Sequence, residues 1–120
     1  MLVNHPDIAK IAFTGSTEVG RVIREKTAGS GKSLTLELGG KSPFIVFDDA
    51  DLDDAVQGAI MCKFRNNGQT CVCANRIYVQ TGVYKEFAAK LQKAVSKLKL
   101  GDGFDPETTL GPLILSLIHI

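Results

Sequence analysis

This sequence has only two histidines, no surplus of either charge and no long apolar run, and each of these features narrows the possible functions. The 120 residues carry 14 Lys and Arg against 13 Asp and Glu, and these charges are scattered rather than clustered. Such a balance gives no reason to expect binding to nucleic acid or to an anionic membrane. No apolar run has the length of a membrane span, and the beginning of the sequence lacks the pattern of a secretory signal. We therefore expect a globular protein whose partner is a small molecule.

Cysteine is scarce as well. Three cysteines are an odd number, which favours reduced intracellular thiols over a disulfide framework, so we expect a cytoplasmic or, in a eukaryote, mitochondrial protein. No metal site is expected, because Cys71 and Cys73 form a single C-x-C pair and both histidines, His5 and His119, are remote in sequence. The alternative is a reactive, exposed thiol at Cys71. Cys62 has apolar neighbours one helical turn away and is expected to be buried.

Short strands alternate with amphipathic helices along the chain. Strands are predicted at 10–15, 33–38, 43–47 and 76–80, and helices begin near Ser16, at Asp51 and near Val83. The last helix is predicted to run to Leu98, with one apolar face formed by Tyr84, Phe87, Leu91, Val95 and Leu98. This alternation predicts the α/β class with a thin, largely parallel sheet of three or four strands.

The segment GSTEVG, residues 15–20, lies where a strand gives way to a helix. Free backbone N–H groups and the helix dipole favour a phosphate at such a place. Gly15 and Gly20 have the spacing of the outer glycines in the dinucleotide fingerprint, but Thr17 replaces the middle glycine. Taken alone, the loop favours a tight turn with Ser16 or Thr17 capping the helix over a cofactor site.

Glu37 ends an otherwise apolar strand. Alternation places it on the same side as Ser33 and Thr35, so an ordinary polar face is the simpler interpretation. If the residue instead borders a crevice at the carboxyl end of a parallel sheet, it would suit general-base catalysis.

Three motifs in order, FTGSTEVG, LELGGKSP and FRNNGQTC, give the chain a specific resemblance. Together with their spacing and with GDGFDPETTLGPLI at 101–114, they resemble the NAD(P)-dependent aldehyde dehydrogenase superfamily over nearly all of residues 3–114. The resemblance implies that Cys71 is the nucleophile that forms a thiohemiacetal and then a thioester. It implies that Glu37 is the general base that activates water, and that the backbone N–H of Cys71 supplies half of the oxyanion hole.

The same resemblance implies that the cofactor is NAD or NADP. Its binding residues would be Gly15, Ser16, Thr17, Glu18, Val19, Gly20 and Leu38. In this family the absence of the middle glycine is typical, so Thr17 does not argue against the cofactor.

Arg65 stands six residues before Cys71 and could hold a carboxylate with its guanidinium, although a plain surface arginine is the alternative. The stretch FRNNGQTCVCANR resembles the succinate-semialdehyde dehydrogenase branch, which implies oxidation of succinate semialdehyde to succinate. In that branch a cysteine two residues after the nucleophile forms a reversible disulfide with it, so the resemblance gives Cys73 a redox role.

The resemblance also divides the chain. Residues 1–38 are expected to be the C-terminal part of an NAD(P)-binding domain, and residues 39–114 the N-terminal part of a catalytic domain. The last six residues, LSLIHI, leave the family pattern and can be encoded by a sequencing adapter, so we expect 115–120 to be a non-native tail. The parent enzyme would be a homo-oligomer acting on a small aldehyde. The alternative is a truncated, non-catalytic chain with at most a weak binding or scaffold role.

Overall fold

The computed structural model describes residues 2–114, which form two compact units divided between Gly39 and Gly40. The first unit contains a short 3-10 turn (Leu2–Asn4), strand β1 (Lys10–Thr14), helix α1 (Thr17–Thr27) and strand β2 (Ser33–Glu37). The second contains β3 (Ser42–Val46), α2 (Leu52–Phe64), a 3-10 segment (Arg65–Gly68), β4 (Ala74–Val79) and α3 (Tyr84–Val95).

The first unit is a βαβ arrangement in which β1 and β2 pair in parallel, from Lys10 opposite Ser33 to Thr14 opposite Glu37. Helix α1 connects the two strands and buries Ile23. The ammonium group of Lys32 donates hydrogen bonds to the carbonyl oxygens of His5 and Ile8, at 2.6 and 2.5 Å. These bonds tie the start of β2 to the segment that precedes β1.

The second unit repeats the arrangement with β3 and β4 in parallel and α2 as the connection. Its core is formed by Val46, Val56, Ala59 and Phe87, so α2 and α3 cover the sheet together. Helix α2 begins at Asp51, whose carboxylate accepts hydrogen bonds from the backbone N–H groups of Asp53 and Asp54. This cap confirms the helix start predicted at that residue.

The α/β class and the parallel pairing are confirmed, but the single thin sheet is wrong. The described residues form two separate two-stranded parallel sheets, one in each unit. Each βαβ segment pairs only its own two strands, and the pattern of alternating elements carries no signal for which strands become neighbours.

The prediction for α3 needs two corrections. The helix ends at Val95 rather than Leu98, because Lys97 and Leu98 donate to carbonyls three residues back (Ala94 and Val95) instead of four. The apolar face is also narrower than expected, since the side chain of Tyr84 at the first helical position is exposed while that of Phe87 is buried.

Residues 115–120, the expected tail, lie outside the described part of the chain. Between residues 2 and 114, no helix has both the length and the apolar character needed to cross a membrane.

Candidate active site

The segment before Cys71 reverses the chain through an unusual backbone conformation. Asn66, Asn67 and Gly68 all have positive φ, at 48°, 58° and 75°. Asparagine and glycine adopt this left-handed region at the least cost, which explains the N-N-G sequence. A side chain at Gly68 would also come within 2.9 Å of the carbonyl oxygen of Lys63. The sequence after α2 therefore favours this sharp reversal of the backbone.

Side chains of this reversal hold a distant part of the chain. The amide nitrogen of Asn67 donates to the carbonyl oxygens of Gly111 and Pro112, both at 2.9 Å. The backbone N–H of Ile114 donates to the side-chain oxygen of Gln69 at 3.2 Å. These bonds hold the segment that precedes Cys71 against residues 111–114.

Cys71 itself lies in a tight turn formed by residues 70–73, which we call the Cys71 turn. The backbone N–H of Cys73 donates to the carbonyl oxygen of Thr70 at 3.2 Å and closes it, so Cys71 and Val72 are its two central residues. Both central side chains are exposed, as predicted for Cys71. A solvent-facing thiol on a fixed turn is accessible to a small electrophile.

The two neighbouring cysteines differ from Cys71 in their surroundings. Cys73 is 3% exposed, and its sulfur lies 2.6 Å from the hydroxyl oxygen of Thr70 and 3.8 Å from the carbonyl oxygen of Lys63. Cys62 is half-buried rather than fully buried as expected, with its sulfur 4.0 Å from the carbonyl oxygen of Val72. Cys62 lies on the side of α2 that faces the Cys71 turn, and its side chain is covered only in part there. Only Cys71 of the three presents an exposed side chain.

Arg65 ends α2 and is exposed. It borders a hollow whose other lining residues are mostly apolar: Ile60, Met61, Phe64, Leu98, Thr109 and Leu110. Among residues 2–114 no carboxylate lies within ion-pair distance of Arg65. The guanidinium is therefore free to meet an anionic group, and the same exposure is compatible with a surface role.

In the first unit, the segment 15–20 forms the capped helix start that the sequence favoured. The hydroxyl of Ser16 accepts a hydrogen bond from the backbone N–H of Val19 at 3.2 Å, which identifies Ser16 as the cap. A side chain at Gly20 would come within 2.5 Å of the Leu38 methyl groups. Gly20 therefore allows α1 to approach the end of β2 closely, the part played by the last glycine of a dinucleotide fingerprint.

Glu37 lies at the same edge of that unit as Gly15. Its backbone carbonyl accepts a hydrogen bond from the N–H of Gly15 at 3.0 Å, and its side chain is exposed on the polar face with Ser33 and Thr35. This edge is the carboxyl end of both parallel strands, where open α/β sheets bind ligands. The first unit thus brings together Glu37, Leu38 and the 15–20 loop, and the second brings together Cys71, Cys73 and the turn that holds them.

Sequence reasoning missed two kinds of residue. It did not identify Asn67 as a tether, although the N-N-G sequence signalled a turn. It also passed over Gly40, which lies directly against the carbonyl group of Cys71, because a glycine required by contact with a distant segment has no local signal. Among residues 2–114 the structure contains no group of three or more His, Cys, Asp or Glu side chains that could hold a metal ion.

Two parallel βαβ units and an exposed cysteine on a fixed turn define an α/β protein with a candidate thiol nucleophile. The model of the aldehyde dehydrogenase family matches residues 1–116, and the chain belongs to that family.

Individual relatives share much of the sequence. The chain is 64% identical over 113 residues to an NADP(+) succinate-semialdehyde dehydrogenase of Escherichia coli (strain K12), covering 94% of this chain and 23% of that protein. It is 65% identical over 107 residues to a glutarate-semialdehyde dehydrogenase of Pseudomonas putida (strain KT2440), covering 89% and 22%. A crystal structure described as an NADP-dependent enzyme of Escherichia coli superposes with a TM-score of 0.91 at 63% identity, covering 94% of this chain and 24% of that one. The chain therefore spans about a quarter of the length of these relatives.

Proposed function

We propose that this chain supplies the nucleophile, general base and part of the cofactor site of an enzyme that oxidises an aldehyde to a carboxylic acid with NAD or NADP. The observation that carries the proposal is the exposure of Cys71 on a turn whose other thiol, Cys73, is buried. Family membership and the identity to two semialdehyde dehydrogenases support the same reaction.

In the proposed reaction the thiolate of Cys71 adds to the aldehyde carbon and forms a thiohemiacetal, whose oxygen is stabilised by the backbone N–H of Cys71. NAD or NADP, when bound, would supply the hydride acceptor for that carbon, and Cys71 would then hold the acyl group as a thioester. Glu37 then takes a proton from a water molecule that attacks the thioester. The carbon–sulfur bond breaks, the carboxylic acid leaves and the Cys71 thiolate is restored.

The cofactor site we propose begins at α1. The hydroxyl of Ser16 accepts a hydrogen bond from the N–H of Val19. The backbone N–H groups of Thr17 and Glu18, which come earlier in the helix, have no hydrogen-bond partner within the helix. The positive end of the helix dipole lies at the same place and favours the phosphates of NAD or NADP. The close packing of Gly20 on Leu38 supports this assignment, because it holds the start of α1 close to the end of β2.

The substrate we propose is an aldehyde with a carboxylate at its far end, with succinate semialdehyde as the first candidate. Both relatives named above act, by their names, on semialdehydes of dicarboxylic acids, and succinate and glutarate differ by one methylene group. Arg65 has no carboxylate partner between residues 2 and 114 and stands six residues before Cys71. Its guanidinium is the group we assign to the substrate carboxylate.

We also propose that Cys73 forms a reversible disulfide with Cys71 under oxidation. Because Cys73 is buried against Thr70, the Cys71 turn must open before the two sulfurs can bond. Peroxide is expected to inactivate the enzyme and dithiothreitol to restore it. Equal peroxide sensitivity of Cys73→Ser and of the unsubstituted enzyme would count against this role.

In the cell we expect the parent enzyme to be a homo-oligomer in the cytoplasm or, in a eukaryote, in the mitochondrion.

A chimaeric enzyme tests the proposal as a whole. The segment of the Escherichia coli relative that matches this chain is replaced by residues 2–114, and NAD(P)H formation is followed at saturating succinate semialdehyde. We expect activity in the chimaera, a loss of at least ~1,000-fold in Cys71→Ala, and little change in Cys62→Ala as the matched control. A chimaera that folds and assembles but does not oxidise the aldehyde would instead favour a non-catalytic binding or scaffold role.

A further inference from the structure

The carbonyl group of Cys71 rests directly against Gly40. A β-carbon at Gly40 would lie 2.0 Å from the Cys71 carbonyl oxygen and 3.1 Å from its carbonyl carbon. The obstructing atoms are backbone, so they cannot be moved aside by a change of side-chain rotamer. Gly40 does not have positive φ, so its backbone conformation does not require glycine. Space for the Cys71 peptide is the reason for glycine at this position.

Asn75, on β4, forms hydrogen bonds to the same two segments. With its amide nitrogen turned toward them, the side chain donates to the carbonyl oxygens of Cys73 and Gly40, each at 3.3 Å. The two N–H groups of one amide thus join the end of the Cys71 turn to the residue on which that turn rests. An aspartate of the same shape would place oxygen atoms against both carbonyls and lose both bonds.

Three contacts hold the turn that carries the nucleophile. Gly40 sets how closely the Cys71 carbonyl can approach, Asn75 holds the Cys73 carbonyl, and the Thr70–Cys73 hydrogen bond closes the turn between them. The orientation of the peptide plane after Cys71 is fixed by the first contact. The direction in which the chain leaves the turn is fixed by the second.

We infer that Gly40 and Asn75 are positioning residues that hold the Cys71 turn closed, with Cys71 outward and Cys73 inward. The inference deepens the proposed function, because the turn that they hold carries the proposed nucleophile. Neither residue touches substrate in this account. Their effect on the reaction passes through the Cys71 backbone and sulfur, whose placement has to match the aldehyde carbon.

Alkylation of the chain's thiols tests the inference without any need for activity. Iodoacetamide labelling followed by trypsin gives one peptide, 66–76, that contains both Cys71 and Cys73, and another, 42–63, that contains Cys62. Fragmentation of the first peptide gives the ratio of label on Cys73 to label on Cys71. The far-UV circular dichroism of each variant reports general loss of structure, because Cys62 itself contacts the Cys71 turn at Val72 and would be exposed with it.

We expect this ratio to rise roughly tenfold in Gly40→Ala and in Asn75→Asp, because opening of the turn exposes Cys73. Gly82→Ala is the matched glycine control, since nothing lies within 4 Å of a β-carbon there and its φ is not positive. Asn4→Asp is the matched control for the added charge, because Asn4 is exposed in the first unit. Asn75→Asp adds no steric bulk and keeps the test valid if Gly40→Ala unfolds.

The inference is wrong if both variants keep the unsubstituted ratio. It is equally wrong if the helical circular dichroism falls in parallel with the rise in Cys73 labelling, because the residues would then support the whole unit rather than the turn.

The chimaeric enzyme provides the second readout. For misplacement of the nucleophile by about 1 Å we expect kcat to fall by up to ~100-fold in either variant, with KM and Tm close to those of the unsubstituted chimaera. A fall in activity that follows Tm would overturn a positioning role. If the unsubstituted chimaera is inactive, the proposed function fails, and the labelling ratio still decides whether Gly40 and Asn75 hold the turn.

Discussion

The backbone N–H of Cys73 bonds the carbonyl oxygen of Thr70 at 3.2 Å, and this bond separates two cysteines that are only two residues apart in sequence. Cys71 becomes a central residue of the turn with its side chain in solvent, whereas Cys73 is 3% exposed. One turn therefore gives an exposed thiol and a buried one. The backbone of the turn thus leads us to expect that thiol reagents modify Cys71 before Cys73.

Arg65 is expected to control the choice of aldehyde. Replacing it with Leu in the chimaeric enzyme removes the proposed charged hydrogen bonds to the substrate carboxylate, which are worth about 1.5–3 kcal/mol. We expect the KM for succinate semialdehyde to rise by roughly 10- to 100-fold, while kinetics with uncharged butanal change little. Steady-state kinetics with both aldehydes measure the effect. Equal losses for the two would show that Arg65 has a structural role instead.

Asp51 is expected to stabilise α2 through its two backbone hydrogen bonds. Asp51→Ala should lower the free energy of unfolding by about 1 kcal/mol, the usual effect of losing such a cap. Urea unfolding of the 120-residue chain, followed by circular dichroism, measures the change. Asp49→Ala is the control, because Asp49 is exposed and precedes the helix, and a loss equal to that of Asp51→Ala would contradict the assigned cap.

Phe87 fills the core between α2, α3 and the second sheet, and its side chain is 2% exposed. Phe87→Ala should destabilise the second unit by about 3–5 kcal/mol, because apolar contacts are lost and a cavity remains. The same unfolding experiment applies, with Tyr84→Ala as the comparison, since Tyr84 lies on the same helix and is 57% exposed. Similar losses in the two variants would mean that the core is not packed as described.

The ion pair between α2 and α3 gives a pH dependence. The hydrogen bond that the Lys90 ammonium donates to the Asp53 carboxylate raises the pKa of Lys90 above its ordinary value of 10.5, with a smaller contribution from Glu86. A raised pKa in the folded state adds stability below 10.5, and this stability is lost as the pH rises through the folded-state pKa. The effect is small, because the Asp53 side chain is 82% exposed.

The measurement is the Tm of the chain and of its Asp53→Asn variant. We expect a small, constant difference between about pH 7 and pH 9, and a shrinking difference above about pH 10.5. A difference that grows at alkaline pH would have the wrong sign.

Local signals predicted much of this structure. Three features depend only on residues close together in sequence, so the sequence pattern was sufficient to predict them. They are the helix caps at Ser16 and Asp51 and the polar face of the strand that carries Glu37. The same holds for the exposed position of Cys71 after a run of turn-forming residues.

Contacts between distant segments could not be predicted in this way. Gly40 rests on Cys71, and Asn67 binds Gly111, across separations of 31 and 44 residues. Neither contact leaves a periodic pattern in the sequence, and both join segments that are far apart along the chain. The alternating pattern likewise did not predict that the strands pair as two small sheets instead of one. The roles of Cys71, Glu37 and Arg65 came from family resemblance and stay predictions.

The most direct test of the central claim is to trap the proposed acyl-enzyme. In the Glu37→Gln chimaera, water is no longer activated, so the thioester formed after hydride transfer should accumulate. Succinate semialdehyde and NADP are added, the reaction is quenched in acid, and peptide 66–76 is analysed by mass spectrometry. We expect one succinyl group on Cys71 and a burst of one NADPH per active site. A burst without any adduct, or an adduct on Cys73 or Cys62, would contradict the assignment of Cys71 as the nucleophile.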